Sequence, residues 1–324
     1  MRAIVNTGPG KLEMKEWPLP DPGTGWVRIK TAACGICATD LAMIAGWKRT
    51  GFPSIPGHEW AGVVDAVGKG ADKKLLGQPC VAENVLSDGG EVGFEHPGGY
   101  GEYLLTEARN VHILPKKFPL STAVLIEPLA VSVRALKRLR LEDKSSALIF
   151  GDGPIGLMMV MLLKDVGVKR ISLVGGRPAR LSLAEELGAS ATLNYHDAGT
   201  DLADAIKTKL GKEFTNIIEA SGSAAALQVS LDVAAETGKI LLIGDYAENR
   251  AGFRWNLMLH RQLELIGSNA SAGAWGDAVE LAKSGRLPLE RLITHRLPAS
   301  DFNKGMNLVK DSWDAIKVVL EWSG

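Results

Sequence analysis

A short glycine-rich stretch constrains the fold of this 324-residue chain more than any other feature. The run Gly151-Asp152-Gly153-Pro154-Ile155-Gly156 follows the apolar segment 147–150, which reads as a buried strand, and opens a helix-like segment. The pattern G-x-G-x-x-G is weak alone, but between a strand and a helix it is typical of a turn that binds a dinucleotide pyrophosphate. The alternative is a tight turn without a ligand. The predicted cofactor residues of this turn are Gly151, Gly153, Pro154, Ile155 and Gly156.

Strand-like and helix-like segments alternate after this turn, and one further helical segment, 121–140, precedes it. Continuous apolar strands separated by helices are typical of a parallel, doubly wound sheet, because the crossover helices bury both faces of the sheet. We therefore predict an α/β Rossmann domain. Its strands after the turn are predicted at 171–174, 191–194, 216–219, 239–243 and 263–267, with helices at 179–187, 202–210 and 224–235.

The first third of the chain has a different texture. The short β-type runs 26–30, 62–68 and 102–106 are separated by stretches rich in Gly and Pro, which favours antiparallel strands joined by turns. The segment after about residue 268 has a similar mixed texture, and we expect it to rejoin this part of the chain. The predicted domains are a mostly antiparallel β domain, 1–122 and 269–324, and a dinucleotide-binding domain, 123–268.

The end of the second Rossmann strand indicates which dinucleotide is preferred. An acidic residue there would accept the ribose hydroxyls of NAD, but residues 174–180 contain no carboxylate. Gly175 leaves room, and Arg177 and Arg180 could pair with a 2′-phosphate, which favours NADP over NAD. The alternative for either arginine is a solvated position at a helix start. Ser221 and Gly244 complete the predicted cofactor residues.

Composition excludes several classes of protein. The chain has 37 basic and 37 acidic residues, so it lacks the cationic excess that a general nucleic-acid binder needs. Its longest nearly uncharged stretch, 147–163, is too short and too interrupted by glycine to span a membrane. The three cysteines, Cys34, Cys37 and Cys80, do not form a disulfide framework, so we expect a cytoplasmic protein.

A metal site is suggested by two separated pairs of residues. Cys34 and Cys37 are spaced as C-x-x-C, and His58 and Glu59 follow a Pro-Gly turn. Catalytic zinc commonly takes three protein ligands from Cys, His and carboxylate. Cys37 and His58 with either Glu59 or Glu127 would satisfy this requirement, although buried cysteines and structural histidines are also frequent.

Four segments in order along the chain carry a family resemblance. They are Cys34-Gly35-Ile36-Cys37-Ala38-Thr39-Asp40; Gly57-His58-Glu59-Trp60-Ala61-Gly62 with Gly68 following; Gly98-Gly99-Tyr100-Gly101-Glu102-Tyr103; and Glu127-Pro128-Leu129-Ala130. Together they resemble the zinc-dependent medium-chain dehydrogenase/reductases, the alcohol and polyol dehydrogenases. The resemblance covers nearly the whole chain and implies that the first domain is GroES-like.

The resemblance also implies roles for individual residues. Cys37 and His58 would be zinc ligands, with Glu59 as the third ligand, as in the sorbitol-dehydrogenase branch, and Glu127 near the metal directly or through water. Thr39 would bind the substrate oxygen and pass on its proton, and Asp40 would orient His58.

Two departures from the family pattern affect the expected chemistry. The stretch from Cys80 to Pro97 is short and has one cysteine, so we expect one catalytic zinc per chain and no structural zinc. Ala42 stands where many members have a proton-relay histidine. The resemblance further implies a homodimer or homotetramer, in which the strand around 263–267 is expected to pair with the same strand of a second copy.

The expected activity is hydride transfer between a small secondary alcohol, of polyol, sugar or cyclitol type, and NADP or NAD. Ketone reduction is the reverse reaction. The alternatives are a dehydrogenase of simple secondary alcohols and ketones, or a zinc-independent reductase of enones or quinones. Neither a nucleic acid nor a membrane is an expected partner.

Overall fold

The computed structural model describes residues 1–322. They divide into two compact units. The β unit comprises Met1–Ala130, Ala272–Gly285 and the described residues from Leu289 on, and the α/β unit comprises Val131–Ser271 and Arg286–Pro288. The domain boundaries given above stay a prediction.

Residues 1–322 form fifteen strands and ten α-helices, together with five short 3₁₀ turns. The strands are β1 (Arg2–Gly8), β2 (Lys11–Glu16), β3 (Trp26–Ile36), β4 (Glu59–Val67), β5 (Pro79–Ala82), β6 (Tyr103–Glu107), β7 (Val111–Ile113), β8 (Ser146–Phe150), β9 (Arg170–Gly175), β10 (Ala191–Asn194), β11 (Phe214–Glu219), β12 (Ala234–Leu242), β13 (Glu264–Gly267), β14 (Ile293–Pro298) and β15 (Lys317–Glu321). The helices are α1 (Ala38–Ala45), α2 (Leu120–Ala123), α3 (Ile126–Leu139), α4 (Pro154–Asp165), α5 (Pro178–Leu187), α6 (Leu202–Lys209), α7 (Ala224–Val233), α8 (Trp255–His260), α9 (Trp275–Lys283) and α10 (Phe302–Asp311).

The α/β unit is built on a six-stranded sheet in the order β10-β9-β8-β11-β12-β13, and every neighbouring pair is parallel. This is the Rossmann order, in which the strand order reverses beside the first strand. All five residues of β8 are buried, as expected for a strand covered on both faces. The predicted doubly wound parallel sheet is confirmed.

The β unit contains a seven-stranded sheet and the separate hairpin β1–β2. The long strand β3 pairs antiparallel with β4, β6 and β15, whereas β14 and β15 pair in parallel. Side chains of β1, β3, β4 and β15 share one hydrophobic core with Trp60 and Tyr100. The predicted mostly antiparallel β domain is confirmed.

Two predicted helices have different bounds in the structure. The segment 121–140 forms two helices, α2 and α3, and Pro128 explains the break. Proline lacks an N–H and is tolerated in the first turn of α3, but not within one continuous helix. The segment 224–235 ends its helix at Val233, because Ala234 already pairs with Phe214 in the sheet.

Within residues 1–322, no helix has both the length and the apolar character needed to cross a membrane.

Candidate active site

Strand pairing in the β unit brings the two predicted ligand pairs together. Gly35 lies opposite Glu59 in the β3–β4 register, so Cys37, just after β3, lies beside His58, just before β4. Gly57 has a φ of +98°, and a Cβ there would lie 2.6 Å from the Tyr100 ring and 2.8 Å from Cys34 Sγ. Only glycine therefore allows the turn that places His58.

Cys37, His58 and Glu59 form a compact donor set. One ligand atom from each side chain lies within 4.8 Å of the others. His58 and Glu59 are buried, and Cys37 is partly exposed. Thiolate, imidazole and carboxylate in this number match a catalytic zinc site with one position left open for substrate. The donor set therefore fits zinc.

Asp40 connects three parts of this site. Its Oδ1 lies 3.1 Å from His58 Nδ1, while Oδ2 accepts hydrogen bonds from Cys37 N–H at 2.9 Å and Tyr100 OH at 3.1 Å. Asp40 is fully buried. Burial alone would lower the pKa of His58, but the charge and hydrogen bond of Asp40 hold that pKa well above its usual value. With Nδ1 facing a carboxylate, Nε2 of His58 is the nitrogen available to a metal.

Glu59 has a partner that sequence reasoning missed. Lys317 Nζ donates to both carboxylate oxygens of Glu59, at 2.7 and 2.6 Å, and both side chains are buried. Burial alone would lower the pKa of Lys317, but the charges of Glu59 and Cys37 raise it. Lys317 opens β15, a strand whose other residues are nearly all buried, and that isolated charge was the available sequence signal.

Glu127 lies in the first turn of α3 and falls outside the compact donor set. Burial raises its pKa to about 7, and the negative charge of Glu59 adds to this, against the opposing influence of His58 and Lys317. Its carboxyl group is thus electrostatically close to all three residues.

Thr39 and a group of unpredicted side chains lie beside the donor set. Cys37 Sγ and Thr39 Oγ1 are 3.6 Å apart. The Phe94 ring lies 4.9 Å from the His58 ring, and the Arg49 guanidinium lies 4.4 Å from the Phe94 ring centre. Arg49 also forms ion pairs with Glu91 and Glu95, each at 2.6 Å. Polar and aromatic groups therefore adjoin the histidine.

The predicted glycine turn in the α/β unit has the expected construction. Gly151 has a φ of +112°, and Gly153 caps α4, whose first residue is Pro154. A Cβ on Gly156 would collide with the Gly151 carbonyl, whereas a Cβ on Gly153 would meet nothing within 4 Å. The open space beside Gly153, at a helix N-terminus, is what a pyrophosphate requires. The turn therefore fits a dinucleotide.

At the end of β9, Gly175, Arg177 and Arg180 surround a side chain that the sequence analysis did not assign, Asp152. Its carboxylate accepts from the Gly176 and Arg177 N–H groups and pairs with both arginines. A second unpredicted residue, Tyr195, contacts Gly176 so closely that a Cβ there would lie 2.6 Å from the tyrosine ring.

Ser221 follows β11, and Gly244 follows β12. Both lie beside the buried carboxylate of Glu219. Glu219 accepts hydrogen bonds from the Ser221 N–H and the Tyr246 hydroxyl, at 2.9 and 2.5 Å. A Cβ on Gly151 would lie 3.0 Å from the Ser221 nitrogen. Ser221 therefore borders the glycine turn, as a cofactor-site residue would.

Known proteins match both units. Residues 23–116 match the model of the alcohol dehydrogenase GroES-like domain, and residues 154–284 match that of the zinc-binding dehydrogenase. The L-threonine 3-dehydrogenase of Chelativorans sp. (strain BNC1) is 31% identical, with 99% of each chain covered. The chain belongs to the zinc-dependent medium-chain dehydrogenase/reductase family.

Two further relatives place this medium-chain dehydrogenase/reductase in the alcohol and polyol branch. The erythritol/L-threitol dehydrogenase of Mycolicibacterium smegmatis is 27% identical, covering 99% of this chain and 97% of that protein. The crystal structure of the short chain alcohol dehydrogenase RspB from Escherichia coli CFT073, complexed with NADH, is 26% identical, with a TM-score of 0.92 and 99% of both chains covered. This family member is therefore an oxidoreductase that uses a nicotinamide cofactor to act on small secondary alcohols.

Proposed function

We propose that this dehydrogenase uses one zinc ion per chain to oxidise a polyol, sugar or cyclitol at a secondary alcohol, with NADP preferred over NAD. The observation that carries the proposal is the convergence of Cys37, His58 and Glu59 within 4.8 Å. Three such donors with an open fourth position suit a metal that binds substrate.

The zinc would be held by Cys37 Sγ, His58 Nε2 and one oxygen of Glu59. It would supply Lewis acidity toward the alcohol oxygen. Lys317 balances the single negative charge of Glu59, so the carboxylate can lie near the thiolate without leaving an uncompensated buried negative charge. We place Glu127 close to this group but not in it, in keeping with its exclusion from the donor set.

Thr39 is the residue we assign to accept the alcohol proton, since its hydroxyl lies next to Cys37. Asp40 is a positioning residue that fixes the tautomer and orientation of His58. Ala42 offers no group for onward relay, so the exit path of the proton bypasses that position. The nicotinamide would supply the hydride acceptor.

A polyol-type substrate is favoured by the polar surroundings of His58. Arg49, Glu91 and Glu95 are each only partly buried and offer both donors and acceptors to several hydroxyl groups. Phe94 and the half-exposed Trp47 supply an apolar wall. Trp60 is buried in the core of the same unit and so is not part of this wall. The erythritol/L-threitol relative supports the same substrate class.

The NADP preference is supported by two cations at the ribose edge. Arg177 and Arg180 flank the Gly175-Gly176 segment, where they can pair with a 2′-phosphate beside the Asp152 carboxylate that they already contact. One relative binds NADH, so we expect measurable activity with NAD as well.

A homodimer or homotetramer is our proposal for the assembly. Strand β13 pairs with β12 at one end of its sheet, and among the described strands no other pairs with it. The neighbouring helix α8 exposes Trp255 and Leu259, at 67% and 69% of their surfaces. An unpaired edge beside exposed apolar side chains favours association with a second copy. Light scattering coupled to gel filtration measures the assembly, and a Leu259→Lys variant should shift it toward monomer.

The decisive experiment follows nicotinamide absorbance with zinc-loaded protein on a panel of polyols, cyclitols, L-threonine and simple secondary alcohols, with NADP and NAD in parallel. Cys37→Ala should lose both zinc and turnover, whereas the matched variant Cys80→Ala, at a buried cysteine of β5, should keep both. Turnover by zinc-free Cys37→Ala on an enone or quinone would instead establish the zinc-independent alternative. Turnover of simple alcohols alone would overturn the polyol assignment.

A further inference from the structure

One buried carboxylate in the α/β unit has no part in the proposed chemistry. Asp152 occupies the first variable position of the glycine turn and is only 4% exposed. Its Oδ2 accepts hydrogen bonds from the Gly176 and Arg177 N–H groups, both at 2.9 Å. Its Oδ1 lies 3.0 Å from Arg177 Nη1 and 3.8 Å from Arg180 Nη1. The carboxylate therefore lies at the end of β9, although it is carried by the turn after β8.

The strand register explains how the carboxylate reaches this place. Phe150 of β8 lies opposite Val174 of β9, so Asp152 projects toward Gly175 and Gly176. A Cβ on Gly175 would lie 2.7 Å from both Cβ and Oδ2 of Asp152, and those atoms are among its three nearest obstacles. The φ of Gly175 is not in the left-handed region. Position 175 is thus a glycine because the Asp152 side chain fills the space.

The acidic residue and the small residue stand at each other's usual positions: the acid is in the glycine turn, and glycine is at the end of the second strand. In Rossmann folds an acidic residue near the end of the second strand accepts the ribose 2′-hydroxyl of NAD, and the same charge opposes a 2′-phosphate. Here that strand end is Gly175, and the acid arrives from 23 residues earlier on the neighbouring strand's turn. The chemical group is kept at the ribose edge while its place in the sequence has changed.

We propose that Asp152 is a cofactor-selectivity residue, whose carboxylate accepts the adenosine ribose hydroxyls of NAD and opposes the 2′-phosphate of NADP. The proposal rests on the cofactor site proposed above. The two arginines favour a 2′-phosphate and the Asp152 carboxylate opposes it, so Asp152 limits the size of the NADP preference. Removing the carboxylate charge should weaken NAD and strengthen NADP, and both changes move the selectivity in the same direction.

The first test measures nucleotide binding without catalysis. Isothermal titration calorimetry gives the Kd of 5′-AMP and of 2′,5′-ADP, which differ only in the 2′-phosphate. In Asp152→Asn, the ratio of the AMP Kd to the 2′,5′-ADP Kd should rise by at least about tenfold, the size of effect expected for one charge at hydrogen-bond distance. The matched control is Asp165→Asn, which neutralises another Asp–Arg pair, with Arg286, at the far end of α4. Its ratio should equal that of the wild type.

A second test returns the acid to the strand end. Because a Cβ at position 175 would collide with the Cβ of residue 152, the partner substitution must be Asp152→Gly. The single variant Asp152→Gly should lose affinity for AMP, and the double variant Asp152→Gly, Gly175→Asp should regain it. Recovery would show that a carboxylate at this edge binds the ribose, whether it comes from position 152 or from position 175.

An unchanged or lower ratio in a folded Asp152→Asn protein would overturn the proposal. So would equal AMP affinity in the wild type and in Asp152→Gly. If the wild type bound neither nucleotide, the proposed cofactor site would be wrong. If the wild type bound both and the ratio of the two Kd values did not change on substitution of Asp152, only the role of Asp152 would be wrong. Far-ultraviolet circular dichroism establishes that each variant is folded.

Discussion

Two regions of the molecule each contain a buried carboxylate paired with cations. One is the metal end of the β unit, around Cys37, His58 and Glu59, and the other is the ribose edge of the α/β unit, where Asp152 meets Gly175 and the two arginines. The two carboxylates differ in what surrounds them. Glu59 is bound by one fully enclosed lysine through both of its oxygens. Asp152 is bound by two backbone N–H groups and two arginines, and the Arg177 side chain is 41% exposed. The Glu59 carboxylate is therefore enclosed by protein, and its charge is balanced by a single side chain. The Asp152 carboxylate lies where a ligand can compete for its partners.

The two carboxylates therefore depend on their individual partners to different degrees. A buried pair with a single partner leaves an unbalanced charge when either member is removed. A carboxylate with several partners, one of them open to water, keeps most of its hydrogen bonds when one partner leaves. We therefore expect the loss of one partner to destabilise the fold more at the metal end than at the ribose edge.

The largest expected effect is a contrast in thiol reactivity around the metal end. Burial raises the pKa of Cys80 to about 12 and the pKa of Cys34 well above its usual value, so neither forms an appreciable thiolate at neutral pH. Cys37 is partly exposed. In zinc-free folded protein, iodoacetamide should modify Cys37 at least about a thousandfold faster than the other two thiols. Mass spectrometry of digested protein measures each rate.

Zinc provides the control for this contrast, because a metal-bound sulfur is protected from alkylation. Added zinc should slow the modification of Cys37 and leave the other two thiols as they were. Equal reactivity of Cys34 and Cys37, or no protection by zinc, would show that the metal end is more open than its burial indicates.

Breaking the enclosed ion pair should produce the next largest effect. Lys317→Met leaves the Glu59 charge buried without its cation and should lower the free energy of unfolding of zinc-free protein by about 3–5 kcal/mol. Arg177→Met, at the open pair, should cost less than about 1 kcal/mol. Urea denaturation measures both. Similar losses in the free energy of unfolding for the two variants would contradict the conclusion that the enclosed pair contributes more to stability than the open pair.

A smaller effect is expected at the hydrogen bond between His58 and Asp40. Asp40→Asn keeps the shape of the side chain but removes the charge that orients the imidazole, and should weaken zinc binding by about 10- to 100-fold. Asp88→Asn is the matched control, because Asp88 pairs with His96 at 2.9 Å with both side chains partly exposed. Competition with a chromophoric chelator measures zinc affinity. A loss of the same size in Asp88→Asn would mean that Asp40 acts on stability and not on the ligand.

The smallest expected effect concerns Tyr195 at the ribose edge. Tyr195 is 49% exposed, and its ring packs against Gly176, where it can cover one side of the bound ribose. Tyr195→Ala should weaken 2′,5′-ADP binding by about two- to tenfold, within the range of aromatic contacts. Tyr195→Phe should retain most of the affinity, because it keeps the aromatic ring that would cover the ribose. A larger loss in Tyr195→Phe than in Tyr195→Ala would contradict this assignment.

The sequence was most informative where function depends on residues close together along the chain. The turn 151–156 occupies consecutive positions in the α/β unit. The pairs Cys34–Cys37 and His58–Glu59 each occupy a few consecutive positions in the β unit, where strand pairing brings Cys37, His58 and Glu59 together. The strand periodicity likewise predicted the parallel sheet, because continuous apolar runs must be covered on both faces.

The sequence was least informative where a residue acts across strands. Lys317 meets Glu59 through the β15–β3–β4 pairing, and nothing near residue 317 indicates that partner. The absence of an acid in 174–180 suggested that none lies at the ribose edge, but Asp152 reaches it from the adjacent strand. Helix bounds failed for a related reason at 224–235, where pairing with β11 overrides the helical propensity of Ala234.

The distance along the chain between Glu59 and Lys317, 258 residues, has a consequence for synthesis on the ribosome. Chains fold progressively as they emerge, so Glu59 is available long before its lysine. A nascent chain arrested before β15 would hold the cysteine, histidine and glutamate of the donor set without the cation that neutralises the glutamate. We therefore expect the ion pair between Glu59 and Lys317 to form only after β15 has been synthesised, long after the β3–β4 pairing that brings Cys37, His58 and Glu59 together can begin.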